Sequence, residues 1–178
     1  MRTKYIHQKD AFWVHPEQVE HVPVFQKMIH SLMKHGKKQK AFTLLLHAVQ
    51  VSQQKLHTQS GGRSTVEAAD SRALHDFQFL AQAVENVRPS VEVRSKKIAG
   101  ISREIPCLVP AGRGQGLAIR WIIDAARARK KTGNRGFAEN LAEELVDAYM
   151  QRGLPRQKRD VLHKTAATNR AYLRYRWW

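Results

Sequence analysis

Apolar residues recur three and four positions apart along most of this 178-residue chain, and this spacing restricts the fold to one built mainly from helices. The first segment starts near Pro23, which suits a first helical turn, and stops at Gly36, which suits a helix end. The third segment stops before Pro89, because the residue preceding a proline is disfavoured in helical conformation. The pattern predicts six helices at about residues 23–36, 41–51, 74–87, 117–129, 137–152 and 155–172.

One segment departs from the helical period. Residues 91–98 and 102–109 are β-compatible, and Ala99-Gly100 between them can form a turn, which predicts a β-hairpin. Its arms are rich in Lys and Arg and carry few large apolar residues on a second face. We therefore expect the hairpin to project from the body as a ribbon.

The remaining stretches complete the expected architecture. Ser52–Thr65 is polar, contains Gly61-Gly62 and reads as a long exposed linker. The prediction is a mainly α fold: a single domain of about six helices with a protruding β-hairpin ribbon at about 91–109, covering residues 23–178 behind an N-terminal extension, 1–22. No apolar run of about 18 residues is available for a membrane span. With one cysteine the chain has no internal disulfide, which is typical of a reducing compartment.

Charge points to the kind of partner. Lys and Arg number 31 against 15 Asp and Glu, a net charge of +16. Residues 1–85 contribute +4 and residues 86–178 contribute +12. Such an excess favours binding to a polyanion, and here it places the binding surface mainly in the second half. Nucleic acid, an anionic membrane face and an acidic protein all fit at this level.

Enzyme chemistry finds little support in the sequence. The nine histidines include no pair at the spacing of a helical zinc site, and we expect no metal and no cofactor. Cys107 follows a proline in a predicted strand, where an inert small hydrophobe is more plausible than a nucleophile. Three glycines at 112, 114 and 116 precede a helix but lack the Lys-Ser/Thr of a phosphate-binding loop. That segment fits either a flexible loop presenting Arg113 to a nucleic-acid backbone or a solvated turn.

Basic and aromatic residues are interleaved toward the C-terminus. Arg156, Lys158 and Arg159 lie within two helical turns with Asp160 as the one acid nearby, which favours phosphate contacts over a solvated helix face. Tyr172 fits base stacking as well as core packing. Earlier in the chain, Lys37 and Lys38 fit either RNA contacts or partners of a helix-end dipole.

Several separated motifs resemble the universal small-ribosomal-subunit protein seven family. The resemblance runs in order from about Val24 to the C-terminus, and the agreement of several motifs is more specific than any one of them alone. The motifs are LMKHGKK at 32–38, AVENVRPSVEVRSKKIAG at 83–100, LAIRWIIDAAR at 117–127, KRDVLH at 158–163, NRA at 169–171 and YRW at 175–177.

This resemblance implies a non-enzymatic structural protein that binds the rRNA of the small-subunit head, nucleates head assembly and meets neighbouring head proteins. It implies a ribbon near the exit-site tRNA and the messenger path. The RNA contacts that it implies fall on Lys37, Lys38, Arg94, Lys96, Lys97, Arg103, Arg113, Arg156, Lys158, Arg159, His163, Arg170 and Arg176.

The chain also departs from the family pattern. Acidic residues interrupt the basic ones in its first 20 residues, Gly114 stands where a second basic residue is frequent, and the linker at 53–70 is longer than usual. The double tryptophan ending is similar to plant or algal mitochondrial members. A mitochondrial ribosome is therefore the expected location, with a plastid or the bacterial cytoplasm as alternatives.

A helix-turn-helix DNA-binding protein is the rival interpretation, because it too needs basic helices and short turns. The charged ribbon and the basic C-terminal helix distinguish the two. They spread positive charge over several faces, whereas a DNA reader concentrates it on one recognition helix.

Overall fold

The computed structural model describes residues 22–59, 69–132 and 135–176 of the chain. Within these residues the architecture is six α-helices, one two-stranded antiparallel sheet and a closing 3-10 helix, in one domain. The predicted fold class is confirmed. In chain order the elements are α1 Val22–Leu32, α2 Lys38–Gln59, α3 Ala69–Val87, β1 Val91–Ile98, β2 Ile101–Leu108, α4 Ala111–Thr132, α5 Phe137–Tyr149, α6 Leu154–Thr168 and the 3-10 helix Asn169–Tyr175.

The first five helices bury their apolar faces in one core. Each contributes a side chain that is almost completely buried: Met28, Leu45, Leu80, Ile122 and Leu145. Helix α5 is central and packs against α2, α3 and α4. Helix α6 lies outside this core against α4 and β1, so its polar face stays in solvent.

The hairpin forms at the predicted place. Strands β1 and β2 pair from Val91 opposite Leu108 to Ile98 opposite Ile101. Ala99 and Gly100 both have positive φ, 49° and 82°, as a two-residue hairpin turn of the primed kind requires. The turn at its end is exposed, whereas its base does not fit the expectation of a ribbon with few large apolar residues on a second face. Ile105 and Cys107 are buried there, and α6 and the 3-10 helix pack against the two strands.

The linker prediction for Ser52–Thr65 was wrong over residues 52–59, and α3 begins five residues earlier than predicted. Helix α2 runs on to Gln59, and α3 already begins at Ala69. Ser52 is fully buried and donates its hydroxyl to the Val49 carbonyl oxygen at 2.7 Å, which satisfies the polar group inside the helix. Lys55 pairs with Glu143 on α5 at 2.9 Å. Polar residues are therefore compatible with this part of α2, because Ser52 bonds within the helix and Lys55 pairs with a residue on α5. Residues 60–68 lie outside the described residues.

The glycine-rich segment is not a flexible loop. Residues 112–116 form the first turns of α4, and Gly114 is buried. A Cβ at position 114 would lie 3.0 Å from the Arg88 side chain and 3.1 Å from the Pro89 carbonyl oxygen. Glycine at 114 is therefore explained by a close approach between the start of α4 and the segment that follows α3.

The last two helices are shorter than predicted. Helix α5 ends at Tyr149, and α6 ends at Thr168, after which the chain tightens into the 3-10 helix. Trp121 is half-buried against the core. The predicted N-terminal extension, up to residue 21, and the tryptophans at 177 and 178 lie outside the described residues.

Candidate nucleic-acid interface

The thirteen residues proposed for RNA contact fall on three parts of the molecule. The first is the turn between α1 and α2, and the second is the ribbon with the start of α4. The third is α6 with the segment after it. These surfaces differ in how much of their positive charge is held by partners inside the protein.

Lys37 and Lys38 are exposed at the turn between α1 and α2. Lys38 is the first residue of α2, whose first turn has no acidic side chain. A cation at that end is disfavoured by the helix macrodipole. Lys38 therefore does not stabilise α2 through its dipole, and both lysines are open to solvent.

The outer half of the ribbon leans on the 3-10 helix. The Arg103 guanidinium donates to the Tyr172 hydroxyl at 2.9 Å and lies 5.1 Å from the centre of that ring. On the neighbouring strand, the Lys96 ammonium donates to the Tyr175 carbonyl oxygen at 3.2 Å. Lys97, beside the turn, is exposed. Tyr172 thus packs against the ribbon rather than in the helical core.

At the base of the ribbon, two predicted residues share one carboxylate that the sequence analysis did not single out. Glu92 accepts from Arg94 Nε and Nη2 at 3.0 and 2.9 Å, and from Arg113 Nε at 2.7 Å. Burial opposes ionisation of Glu92, but the bonds from Arg113 and Arg94 outweigh it and hold its pKa below the ordinary value. A detectable signal was the single acid between two valines in a basic strand.

The arginines at the start of α6 have partners inside the protein, contrary to the expectation that their positive charge is nearly unopposed. Arg156 and Arg159 each donate Nη1 to the Asn86 carbonyl oxygen at 2.9 Å, and both pair with Asp160. Their side chains are 20% and 19% exposed. Lys158, between them, is exposed. The two arginines are therefore structural anchors of α6, because the carbonyl at the end of α3 needs a donor where the helix stops.

His163 is half-buried on the next turn of α6. Its Nε2 accepts from the Ser90 backbone N–H at 3.2 Å, so the bonded form is the neutral ring. Burial and the nearby Arg159 and Arg156 charges lower the pKa of His163, against the opposing effect of Asp160. This histidine is one of the links between α6 and the start of the ribbon.

A groove of about 510 Å³ separates the base of the ribbon from α6 and the 3-10 helix. Its walls include the exposed apolar side chains of Leu108 and Leu173. Arg170 and Arg176, both exposed, border the same groove, with His163 at its side. The structure thus gathers three of the predicted contact residues around one depression.

Among the described residues there is no group of three or more side chains placed to hold a metal ion. None of the helices found there is both long and apolar enough to cross a bilayer. Cys107 is buried, and burial together with the Glu92 carboxylate raises the pKa of its thiol, as expected for an unreactive cysteine.

Comparison with known proteins decides the family. The model of the family described as ribosomal protein S7p/S5e matches residues 2–170, which is nearly the whole chain. The chain belongs to this family. The match begins well before Val24, where the separate motifs start, so the family's sequence pattern also covers the N-terminal segment.

Individual family members confirm the assignment. The small ribosomal subunit protein uS7 of Sulfurihydrogenibium sp. (strain YO3AOP1) is 34% identical over 169 residues, covering 92% of this chain and 96% of that protein. The uS7 of Legionella pneumophila (strain Corby) is 34% identical over 166 residues, covering 91% and 92%. The uS7m protein of Prototheca wickerhamii is 45% identical over 102 residues, 57% of this chain and 46% of that protein. Family membership supports a structural, non-enzymatic role in the small ribosomal subunit.

Proposed function

We propose that this protein binds the rRNA of the small-subunit head and helps to nucleate head assembly. The observation that carries the proposal is the placement of exposed cations on three separate parts of one S7p/S5e-family domain. They lie at the α1–α2 turn, on the ribbon with the start of α4, and on α6 with the segment after it. A folded RNA surrounds a protein in this way, whereas a straight duplex meets mainly one face.

Phosphate neutralisation supplies most of the affinity under this proposal, and RNA shape supplies the discrimination. The contacts divide into two classes. Exposed side chains such as Lys37, Lys38, Lys97 and Lys158 reach phosphates directly. Arg156 and Arg159 chiefly hold α6 in place and act on RNA through the position of that helix.

The outer half of the ribbon serves further partners besides the rRNA in this proposal. This half, with Lys97 at the turn, extends toward the exit-site tRNA and the messenger path. Helical surfaces that the RNA leaves uncovered meet neighbouring head proteins. The protein works in a bacterial-type ribosome, and the 45% identity with the Prototheca wickerhamii protein favours the mitochondrial one.

Lys158 and Arg159 provide the sharpest test of the two classes of contact. Lys158→Ala should leave the melting temperature unchanged and flatten the slope of log Kd against log salt by about one unit or slightly less, measured by filter binding to a head-domain rRNA fragment. Arg159→Ala should lower the free energy of unfolding by about 1–2 kcal/mol, because the Asn86 carbonyl loses a charged donor.

Gln157→Ala is the matched control on the same helix, since it changes an exposed neutral side chain. It should alter neither quantity. An unchanged salt slope for Lys158→Ala would remove α6 from the proposed RNA surface. Competition of the rRNA fragment against duplex DNA addresses the helix-turn-helix alternative, which would gain support if duplex DNA displaced the RNA at equal concentration.

A further inference from the structure

Glu92 is an unusual residue for the position it occupies. It is the one acid in the strand segment from Val91 to Ile98, and its side chain is 9% exposed. Burying a carboxylate is costly unless it is paired and hydrogen-bonded, and Glu92 is compensated by two guanidinium groups at once. The Cys107 thiol adds a weak donor at 3.6 Å from Oε1. The carboxylate is therefore a fixed point at the base of the ribbon.

The two arginines come from different elements and both bind this carboxylate. Arg94 lies on β1, and Arg113 is the third residue of α4. Arg94 bonds to Oε1 and Arg113 to Oε2 of the same group, so the guanidinium groups lie side by side. Their side chains remain 49% and 54% exposed. Two positive groups that would repel each other are thus held together at the surface.

The surroundings of the pair are also suited to an anion. The first turn of α4 has no acidic side chain, and the positive end of its macrodipole lies beside Arg113. Lys27 donates its ammonium to the Gly112 carbonyl oxygen, which brings a third cation to the start of α4. The bond from Arg113 to Glu92 uses Nε, so it does not engage the terminal Nη1 and Nη2 groups, which are donors suited to a second acceptor.

We propose that Glu92 positions Arg94 and Arg113 as one binding site for a single phosphate group of the RNA backbone. The carboxylate takes one side of each guanidinium, and the phosphate takes the outward side. A preorganised pair binds an anion more tightly than two independently mobile arginines, because the ordering cost is met within the folded protein. This inference rests on the proposed rRNA binding.

Glu92→Gln separates positioning from simple electrostatics by the sign of its effect. The substitution adds one positive charge to the RNA-binding side, so electrostatics alone would tighten binding. If Glu92 positions the pair, the variant should instead weaken binding to the head-domain rRNA fragment by about three- to tenfold. The measurement is Kd by filter binding at fixed salt, with the fold checked by circular dichroism.

Glu104→Gln is the matched control. Glu104 lies on the other strand of the ribbon, is exposed and accepts from Asn169 Nδ2 at 3.2 Å, a bond that the glutamine carbonyl can keep. It makes the same charge change away from the two arginines. It should leave rRNA affinity unchanged or tighten it by about twofold at most.

A second background distinguishes positioning from a general loss of structure. In a chain that already carries Arg94→Ala and Arg113→Ala, Glu92→Gln should no longer weaken rRNA binding, because there is no pair left to position. Persistence of the loss in that background, or tighter binding by Glu92→Gln in the native background, would overturn the positioning role. Failure of the unaltered protein to bind the rRNA fragment would instead overturn the proposed function.

Discussion

Asn86 joins three helices at the end of α3. Its side-chain Nδ2 donates to the carbonyl oxygens of Ala148 and Tyr149 on α5, at 3.2 and 2.9 Å. Its own carbonyl oxygen accepts from Arg156 and Arg159 on α6. Burial and the positive charges of these two arginines lower the pKa of His163, so the stability of the fold depends on pH at this residue.

His163 should make the fold more sensitive to mild acid. Its folded pKa lies below its ordinary value of 6.5, so the folded state binds fewer protons than the unfolded state. The stabilisation is complete above about pH 6.5 and is lost as the pH falls through the folded pKa. We expect the free energy of unfolding to drop between pH 7.5 and 5.5, with this histidine contributing to the decrease.

Chemical denaturation at the two pH values tests this expectation. His163→Gln should reduce the pH dependence, because the amide oxygen can accept from the Ser90 N–H without titrating. Equal slopes for the native chain and His163→Gln would show that the Ser90 bond does not depend on the charge of the ring.

For single residues, the sequence predicted which side chains carry positive charge but not what each of them contacts. Residue type and spacing singled out Arg156, Arg159 and Arg113 as candidate phosphate contacts, yet they could not tell an anchoring cation from a presented one. That distinction depends on which backbone carbonyl or carboxylate the fold brings within about 3 Å. Asn86 is 70 residues from Arg156, and Glu92 is 21 residues from Arg113. No local pattern records such pairs.

At the scale of elements, the ribbon depends on the segment that follows α6. The hairpin itself was predictable, because two β-compatible segments flank Ala99-Gly100, and a glycine suits the positive φ of that turn. The 3-10 helix was not predicted, since the sequence simply extends the helical period of α6. Its tyrosines become a support only because the chain turns back toward Lys96 and Arg103. An isolated two-stranded hairpin is marginally stable, so this support matters for the outer half of the ribbon.

Loss of the Arg103–Tyr172 contact should loosen the ribbon without unfolding the domain. We expect Arg103→Ala and Tyr172→Ala each to speed amide hydrogen exchange in the outer half of the ribbon by about two- to fivefold, as a lost contact of about 0.5–1 kcal/mol would. The double variant should show little further change, because both substitutions remove the same contact. The measurement is exchange followed by NMR.

Arg174→Ala is the comparison for this pair. The Arg174 guanidinium lies 4.9 Å from the Tyr175 ring centre, so the variant removes a similar cation–aromatic contact that does not involve the ribbon. Ribbon exchange should stay at the native rate. Equal acceleration by Arg174→Ala would mean that the whole 3-10 helix, rather than the contact at Arg103, sets the mobility of the ribbon.

For the whole molecule, the distribution of acids is as informative as the excess of bases. Several acidic side chains are engaged inside the protein by arginine, and the largest cluster joins α4 to α5. There, Arg129 pairs with Glu143, Glu144 and Asp147 at 2.7, 2.7 and 3.1 Å. Glu144 is fully buried, and burial raises its pKa despite the attraction of Arg129. Internal pairing of the acids leaves a surface more uniformly positive than composition alone indicates.

This arrangement predicts opposite effects of salt on folding and on RNA binding. Repulsion among the exposed cations opposes the compact state of a chain with net charge +16, and salt screens it. The half-buried ion pairs around Arg129 are screened much less. Raising the salt from about 0.05 to 0.5 M should therefore raise the melting temperature of the free protein, and each gain of about 1 kcal/mol would appear as about 2–4 °C.

The same change should weaken rRNA binding by orders of magnitude, because released counterions drive that association. The first effect is measured by thermal melting in a chloride salt and the second by filter binding. A melting temperature that fell with salt would mean that surface ion pairs outweigh the net repulsion, and the excess positive charge would then have to be balanced within the fold rather than by RNA.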